Sequence, residues 1–453
     1  MRVEWINNGS AILTRSKAVI TAGSFGWDPN NGPEPFPGKV YHEGVGEVSK
    51  GINIAKWGKD NKKPNQWLKL LQDSNIAPQM LATKVDFACG EKLITYREDI
   101  RQDEQSGELR IVKVPVQLPE VSKWLRGLKA EQLMRKRATD YYFSGNIFSQ
   151  MVLARDPEKY GVAYIDHVDS CDSRIEKMHK EKRKIEHFFV SDDWNKPIYT
   201  PEEIEKGNTR RYKAFSEADP LKYYRTIQHS KIYWPGQIYY GVQPWHSSAN
   251  WIGFANKIPT WMSSNITNSY NIKYHIQYPD NYFNYTKGWD EKDAAAEKER
   301  VFDQIDQWMS GEKNVNKTWF SAHFPDPMTG KPGVGWKIEP IKNDIKDEAF
   351  VEAYKTSQGA LTSGWDINPS LADIPQEGKF ATSGSELRIA YQIHIALKVT
   401  AARSLMVEPL EMAYKVNHDL GVPGFQEPEV KFGFINKNIT TLAENKSGIT
   451  AAE

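Results

Sequence analysis

Cysteine is scarce in this 453-residue chain, which contains only Cys89 and Cys171. Two cysteines cannot build the disulfide framework that stabilises small secreted domains, and they cannot supply a cysteine-based zinc site on their own. We therefore expect the chain to be made and assembled in a reducing cytoplasm.

An excess of charge of either sign is also missing. The chain has 59 basic and 58 acidic side chains, which leaves a formal net charge of +1. A protein that grips phosphate groups over much of its surface would be strongly basic. Any contact with nucleic acid must therefore be local or loose.

Long apolar runs and common catalytic motifs are absent as well. The opening residues, MRVEWINNGSAILTRS, lack a basic stretch followed by an apolar core, and no later run reaches transmembrane length. Walker A, HExxH and GxSxG patterns do not occur. We expect no membrane segment, no cofactor, no metal site and no catalytic residues.

Aromatic residues, by contrast, are plentiful. They make up 12% of the chain, with 15 Trp and 21 Tyr, although charged residues supply 26%. Trp and Tyr are enriched where protein subunits meet, because they bury a large area at a small entropic cost. This composition favours a protein that forms subunit interfaces.

Local patterns in the first half predict an α+β fold. Pro64 and Pro78 each suit the first turn of a helix, and the alternation over 93–116 predicts a hairpin around a polar turn. We expect a helix over 120–139 and an antiparallel meander between 146 and 194. The polar stretch that follows, up to residue 230, is typical of loops.

The second half predicts helices separated by extended segments. The prolines inside two of these helices should bend or break them. At 1.5 Å per residue, the last helix would be ~50 Å long. The expected elements are a helix over 244–268 with Pro259 inside it, an extended stretch over 269–289, helices over 290–312 and 347–363, a loop over 364–384, and a helix over 385–420 that contains Pro409.

Three sequence segments resemble a known family. They read WGKDNKKPNQWLKLLQDS followed by KVDFACGEKL, ATDYYFSGNIFSQMVLARD, and DINPSLADIPQEGKFATSGSELRIAYQIHIALK. In this order they resemble the portal, or head-to-tail connector, proteins of tailed bacteriophages. The last segment is similar to a run from a portal branch associated with phages of Bacteroidetes hosts.

The resemblance implies a portal architecture within the α+β class, with a reduced or absent crown. Its parts are the N-terminal wing at 1–243, stem helix 1 at 244–268, the clip at 269–289, stem helix 2 at 290–312, the C-terminal wing at 313–363, the tunnel loop at 364–384, the long wing helix at 385–420, and a tail or vestigial crown at 421–453. In this family such subunits form a ring of about twelve copies through which DNA is packaged and ejected.

The stem helices would then contact neighbouring subunits through aromatic residues. The residues implied at the subunit interface are Trp251, Phe254, Trp261, Phe302 and Trp308. An ordinary intrachain core remains an equally open reading of these residues.

Acids on the second stem helix and the loop tip would face DNA. Glu297, Glu299, Asp303 and Asp306 would repel phosphates and let DNA slide, although a solvated helix face explains them equally well. The tunnel-loop residues implied to approach DNA are Gln376, Lys379, Phe380, Thr382 and Ser383.

The clip would dock the other proteins of the assembly through its aromatic side chains. The residues concerned are Tyr278, Tyr282, Phe283, Tyr285 and Trp289. They could equally form a small aromatic core of their own. The partners implied by the resemblance are a homo-oligomeric ring, the terminase large subunit, a neck or tail adaptor, the major capsid protein and double-stranded DNA, with the ring at one vertex of the virion.

Two enzymatic or metal-binding readings compete with this one. Asp280, followed by Asp290 and Lys292, fits the loose PD…(D/E)xK pattern of metal-dependent nucleases, although that chemistry needs Asp290 and Lys292 on a strand. Asp166, His167, Asp169 and Asp172 could ligate a metal, but alternation along a strand would separate them. A carbohydrate-binding β-sandwich with Trp platforms is disfavoured by the helix expected after Ser385.

Overall fold

The computed structural model describes residues 3–7, 10–13, 54–102, 109–178, 184–194, 209–268, 274–277, 291–309, 337–340, 347–372, 374 and 384–439. The chain divides into two compact units. Unit 1 comprises residues 1–31 and 257–354, and unit 2 comprises residues 32–256 and 355–453. Unit 2 contains most of the described core.

The chain combines helices with sheets that are almost entirely antiparallel, which confirms the α+β class. The strands are β1 Val3–Asn7, β2 Ser10–Leu13, β3 Ile54–Ala55, β4 Lys92–Gln102, β5 Leu109–Pro115, β6 Asn146–Leu153, β7 Val162–Val168, β8 Ser173–Glu176, β9 His187–Val190, β10 Arg210–Ala214, β11 Arg225–Lys231, β12 Tyr274–Gln277, β13 Lys337–Pro340 and β14 Lys431–Ile435. The helices are α1 Lys63–Gln72, α2 Ala77–Cys89, α3 Pro119–Gly127, α4 Ala130–Ser144, α5 Pro157–Tyr160, α6 Ala249–Asn268, α7 Glu291–Met309, α8 Asp347–Gly364, α9 Gly384–Leu397 and α10 Thr400–Asp419.

A seven-stranded sheet forms the centre of unit 2, in the order β3-β8-β9-β10-β11-β6-β7. Its neighbouring strands are antiparallel except for β10 and β11, which pair in parallel. The expected meander was wrong, because β7 and β8 follow each other in the chain but lie far apart in the sheet. The stretch up to residue 230 was also misassigned, since β10 and β11 lie within it.

Strand β6 separates two apolar clusters of unit 2. Its side chains alternate between the two faces of the sheet, as expected for a strand that is covered on both sides. Ile147 and Met151 belong to the cluster that contains α4 and α10, whereas Phe148 belongs to the cluster that contains Trp67 and Trp245. This double coverage explains why six of the eight residues of β6 are buried and the other two are partly buried.

A smaller sheet, β14-β4-β5, confirms the predicted hairpin and adds a C-terminal strand to it. Strand β14 pairs with β4 from Ile435↔Lys92 to Lys431↔Tyr96. Val430 and Phe432 are buried in the core. The first part of the C-terminal tail is therefore built into unit 2.

The first helices begin where the prolines predicted. Pro64 and Pro78 lie in the first turns of α1 and α2, and Gly90 follows the end of α2. The single helix expected over 120–139 was wrong, because the chain breaks between α3 and α4. Lys129 adopts a left-handed conformation there, with φ of 50°, which no α-helix accommodates.

The single long helix expected over 385–420 was also wrong, since it divides into α9 and α10. The β-branched residues Val399 and Thr400 lower the helix propensity at the junction. Val399 is buried in a small cluster with Tyr391 and Ile395. Pro409, where a break was expected, lies inside a continuous α10.

A buried arginine makes this internal proline tolerable. Arg137 on α4 donates from Nη2 to the carbonyl oxygen of Leu405 at 2.8 Å and from Nε to that of Met406 at 2.6 Å. The Leu405 carbonyl is the one that an amide at position 409 would have bonded, and proline has no amide proton. Burial lowers the pKa of Arg137 to about 9, although Glu408 opposes the shift.

Unit 1 contains two short strand pairs. Strands β1 and β2 pair with each other, and β12 pairs with β13. The ring of Trp261 stacks on that of Phe350, with centroids 3.6 Å apart. Among the described helices, none has the length and apolar character needed to cross a membrane.

Candidate functional site

The segment predicted as the tunnel loop begins with residues that are anchored in the core. Helix α8 ends in a Schellman motif, in which Asp366 N donates to Ser363 O and Ile367 N donates to Thr362 O, both at 3.1 Å. Trp365 is buried and stacks on Trp245 with ring centroids 5.7 Å apart. The predicted loop thus begins directly where α8 ends, and Trp365 anchors its first residues in the core.

The anchored part extends as far as a short 3₁₀ turn, Pro369–Leu371. Asn368 caps this turn by accepting a hydrogen bond from Ser370 N at 2.9 Å. Leu371 packs against the cluster of Tyr391 and Ile395 on α9 and Val399 beyond it. The two ends of the predicted loop are thus held together at their root.

The tip residues of the predicted loop lie outside the described residues. They are Gln376, Lys379, Phe380, Thr382 and Ser383, and their approach to DNA stays a prediction. Helix α9 begins at Gly384, within one residue of the helix start expected from the sequence.

A cluster of charges lies at the loop root. Asp366 has a left-handed φ of 51° and its carboxylate pairs with Lys398 Nζ at 3.0 Å. The buried Lys84 lies over the ring of Tyr142, and burial lowers its pKa to about 8 against the opposing field of Asp366. Burial likewise lowers the pKa of His394 to about 4. The carboxylate of Asp366 thus partly compensates the positive charges of Lys84 and Lys398.

The burial of Lys84 was not predicted from the sequence, although the spacing of residues on α2 indicates it. Met80, Lys84 and Ala88 recur every four residues on α2, and the structure buries all three. A lysine in the middle of an apolar helical stripe predicts a buried ammonium group. Asp366, by contrast, gave no local signal, because its αL position depends on the helix end.

Trp251 on α6 is not an ordinary core residue. Trp251 is 39% exposed and meets Phe254 edge to face, with ring centroids 6.0 Å apart. The buried positions of this stretch are Ile252 and Ala255 instead. The intrachain-core reading is therefore wrong for Trp251, whose role at a subunit interface stays a prediction.

The remaining predicted interface residues have mixed outcomes. Trp261 contacts Phe350 within unit 1, so part of its ring is used inside the chain. Phe302 on α7 is partly buried and lies near the ammonium of Lys298. Trp308 lies on the same helix, but its side chain is outside the described residues.

The four predicted lumen acids all lie on α7. Glu297 accepts hydrogen bonds from Arg300 Nε at 2.7 Å and from Nη2, so its charge is largely compensated. Glu299 is exposed, and Asp303 is one turn further along the helix. Asp306 follows three residues after Asp303 on the same helix. That these four acids face a channel stays a prediction.

The predicted clip contains one described strand. Strand β12 pairs antiparallel with β13 of the same chain, from Tyr274↔Pro340 to Gln277↔Lys337. Within the predicted clip, residues 274–277 therefore pair with a strand of the same chain. The docking residues Tyr278, Tyr282, Phe283, Tyr285 and Trp289 lie outside the described residues.

The rival metal and nuclease readings gain no support. His167 Nε2 lies 3.0 Å from the buried Asp140 carboxylate instead of joining Asp166, Asp169 and Asp172. Among the described residues no group of three potential ligands converges on one point. Lys292 lies on α7, whereas a nuclease would need it on a strand.

The fold is shared with solved structures from gene transfer agent (GTA) particles. The chain matches a chain from the neck of an empty GTA particle computed with C6 symmetry, and one from the virion of the native particle. Each has 14% identity and a TM-score of 0.52, over 87% of this chain and 89% of the other.

A chain from the neck of the native GTA particle computed with C12 symmetry matches at the same identity and TM-score, over 88% of this chain and 90% of the other. No family model and no curated protein matches the sequence. At this level of identity the likeness establishes a common fold along almost the whole of both chains.

Proposed function

We propose that the chain is the portal subunit of a tailed-phage-like particle, a ring at one capsid vertex through which DNA is packaged and ejected. The observation that carries the proposal is the fold match to GTA neck chains over 87–90% of both chains. A match of this extent concerns the architecture as a whole rather than one common domain. The DINPSLADIPQEGKFATSGSELR segment would assign it to the branch associated with phages of Bacteroidetes hosts.

In this proposal unit 2 supplies the wing, together with the roots of the tunnel loop and the paired helices α9 and α10. Helices α6 and α7 are the two stem helices, and the residues between them form the clip. The loop that would approach DNA is limited to the stretch between Ile374 and Gly384, because the residues before it are anchored. A crown would have to be formed by residues after 435, since β14 belongs to the wing.

The proposed role is structural and requires no catalysis. Glu299, Asp303 and Asp306 on α7 would repel the phosphates of passing DNA, and Lys379 would touch them transiently. Sequence-independent sliding of this kind also fits the near-zero net charge of the chain. The terminase motor is a separate protein in this scheme.

The proposed partners follow from the ring. Heterologous contacts close into a ring when the rotation allows it, and about twelve copies are expected, in line with the C12 symmetry of one matched neck. The clip would dock the terminase large subunit and later the neck or tail adaptor. The wing would meet the major capsid protein, with the ring assembled in the host cytoplasm and retained in the virion.

Ring formation is the first test of this function. Light scattering of the purified protein gives the particle mass, and negative-stain imaging shows its shape. A ring of about twelve copies with a central hole is the expected result. A protein that stays monomeric over a wide range of salt and protein concentrations would overturn the proposal.

A further inference from the structure

The β4–β5 hairpin extends beyond the rest of its sheet. Strand β14 ends its pairing at Lys431↔Tyr96, whereas β4 and β5 remain paired up to Gln102↔Leu109. We call residues 97–102 and 109–114 the arm. A two-stranded hairpin without further cover is only marginally stable in water. The arm therefore gains from packing against another surface.

One face of the arm carries an exposed aliphatic patch beside the Glu98↔Lys113 pair. Ile100 and Ile111 lie directly opposite each other, and Leu109 follows two residues before Ile111 on the same face. These three side chains are 68%, 65% and 74% exposed. Exposed aliphatic groups that adjoin one another are typical of a surface that is covered in an assembly.

Helix α9 carries a second exposed apolar surface. Ile389, Ile393 and Leu397 are 52%, 52% and 70% exposed, and their four-residue spacing aligns them along one side of the helix. We call these three residues the stripe. The other side of α9 is buried through Tyr391, His394 and Ile395. The stripe thus has no cover within the described residues.

The two surfaces lie at opposite ends of the β14-β4-β5 sheet, within unit 2. Tyr391 of α9 is hydrogen-bonded to the backbone of Lys437, just after the end of β14 that pairs with Lys92. From Lys92 to Ile100 the strand covers eight residues, which is ~26 Å at the usual rise. A subunit therefore cannot fold its own arm back onto its own stripe without breaking the sheet.

We propose that the arm of one copy packs on the stripe of the next copy in the ring. The inference rests on the proposed function. A ring of identical subunits needs two unlike surfaces on each copy, and the arm and the stripe are unlike in structure but matched in chemistry, with three aliphatic side chains each.

Charge also favours this pairing. The turn that joins the strands of the arm reads DEQSGE at 103–108, with three acids and no base, whereas the stripe ends next to Lys398, which also pairs with Asp366. The acidic turn would repel an acidic partner protein, so a second copy is the better occupant of the arm. Since a stable interface buries about 800 Å² on each partner, the contact is one part of a larger interface.

The test uses two single variants and their mixture. Ile111→Asp disables the arm and Ile393→Asp disables the stripe. Both positions are exposed, so circular dichroism and thermal unfolding should match the wild-type protein. Each variant alone should need at least about tenfold more protein to assemble. Leu68→Asp, at a similarly exposed position of α1, is the matched control and should assemble normally.

A mixture of the two variants distinguishes a head-to-tail contact from a symmetric one. The intact arm of Ile393→Asp can bind the intact stripe of Ile111→Asp, so the mixture should gain heterodimers that neither variant forms alone. Rings from either variant at wild-type concentration, or a mixture without heterodimers, would overturn the contact.

A disulfide provides an independent readout if a charged variant misfolds. The double variant Ile111→Cys/Ile393→Cys should give a covalent ladder of subunits under oxidation, whereas either single variant and the wild-type protein should not. Wild-type rings without a ladder would overturn the contact while leaving the portal function intact. A wild-type protein that forms no rings would overturn the function itself.

Discussion

Arg137 supplies the hydrogen bond that Pro409 withholds from its own helix. The carbonyl oxygen of Leu405, which has no amide partner at position 409, accepts from Nη2 of Arg137 on α4 at 2.8 Å. The same guanidinium group also bonds Met406 and Ser149. The proline is thus compatible with α10 because a side chain far away in sequence completes the bonding of its backbone.

Replacing Arg137 with Met should destabilise unit 2 by about 3–5 kcal/mol, because the carbonyls of Leu405 and Met406 and the acid Glu408 would lose a buried cationic partner. Urea unfolding followed by far-ultraviolet circular dichroism measures this change. Adding Pro409→Ala should recover about 1 kcal/mol, since the new amide can bond Leu405. If the losses of unfolding free energy caused by Arg137→Met and Pro409→Ala simply add in the double variant, Arg137 does not compensate for the proline. Arg135→Met, which breaks an exposed pair with Asp86, serves as the control.

Three glycine substitutions should rank in a defined order. Gly145 has a φ of 70°, and a Cβ there would lie 2.3 Å from the carbonyl oxygen of Val242, so Gly145→Ala should cost about 3 kcal/mol or more. Gly421 has a similar φ of 68° but open space around it, so its substitution should cost about 1 kcal/mol. Gly127→Ala, in open space on α3, should be neutral or slightly stabilising.

Thermal unfolding of the three alanine variants checks this order. Equal losses at Gly145 and Gly421 would show that the backbone conformation, rather than the close approach of Val242, sets the cost.

The partly buried His229 should make the protein sensitive to acid. Burial lowers its pKa to about 3, and its ring stacks on that of Phe148. The folded state thus favours the neutral imidazole, so this contribution to stability is present above pH 6.5 and is lost as the pH falls towards 3. His394, with a pKa of about 4, should destabilise the folded state in the same way as the pH falls below 6.5. The free energy of unfolding of His229→Gln should therefore depend less steeply on pH between 4 and 6.5 than that of the wild-type protein.

Asp366 should contribute more through its charge near Lys84 than through its exposed pair with Lys398. Asn tolerates the left-handed conformation, so Asp366→Asn removes the charge and keeps the backbone. The pKa of Lys84 should then fall further below its present value of about 8. Nuclear magnetic resonance of labelled lysine side chains measures this shift, and an unchanged pKa would contradict the assignment.

The lowered pKa of Lys84 also makes the stability of the protein depend on pH. Between about pH 8 and 10.5 the Lys84 ammonium is protonated in the unfolded chain but has lost its proton in the folded protein, so the free energy of unfolding should rise with pH in this range. In Asp366→Asn the rise should begin at a lower pH. Asp366→Gly relieves the left-handed strain as well and should be the more stable of the two variants.

Elements with local signals could be predicted from the sequence. The prolines gave the starts of α1 and α2, and alternation gave β4 and β5. The start of α9 was predicted to within one residue. These signals are local because helix starts and hairpins depend on neighbouring residues.

Features that depend on distant contacts could not be predicted in this way. The break before α10 reflects the burial of Val399, and the continuity of α10 through Pro409 reflects Arg137. The anchored loop root depends on the stack of Trp365 on Trp245, which are 120 positions apart in numbering. Burial at Trp251 was likewise undecidable, since periodicity does not tell a core from an interface.

The discontinuity of unit 2 has a consequence for synthesis on the ribosome. Its core joins residues 32–256 to residues 355–453, and α10 and β14 complete that core through Arg137, Tyr96 and their neighbours. Unit 2 therefore cannot close until residues 355–453 have been synthesised, and its apolar strands stay exposed in the meantime. A chain that terminates before β14 would leave the β4–β5 hairpin without its third strand, so we expect such a chain to be prone to aggregation.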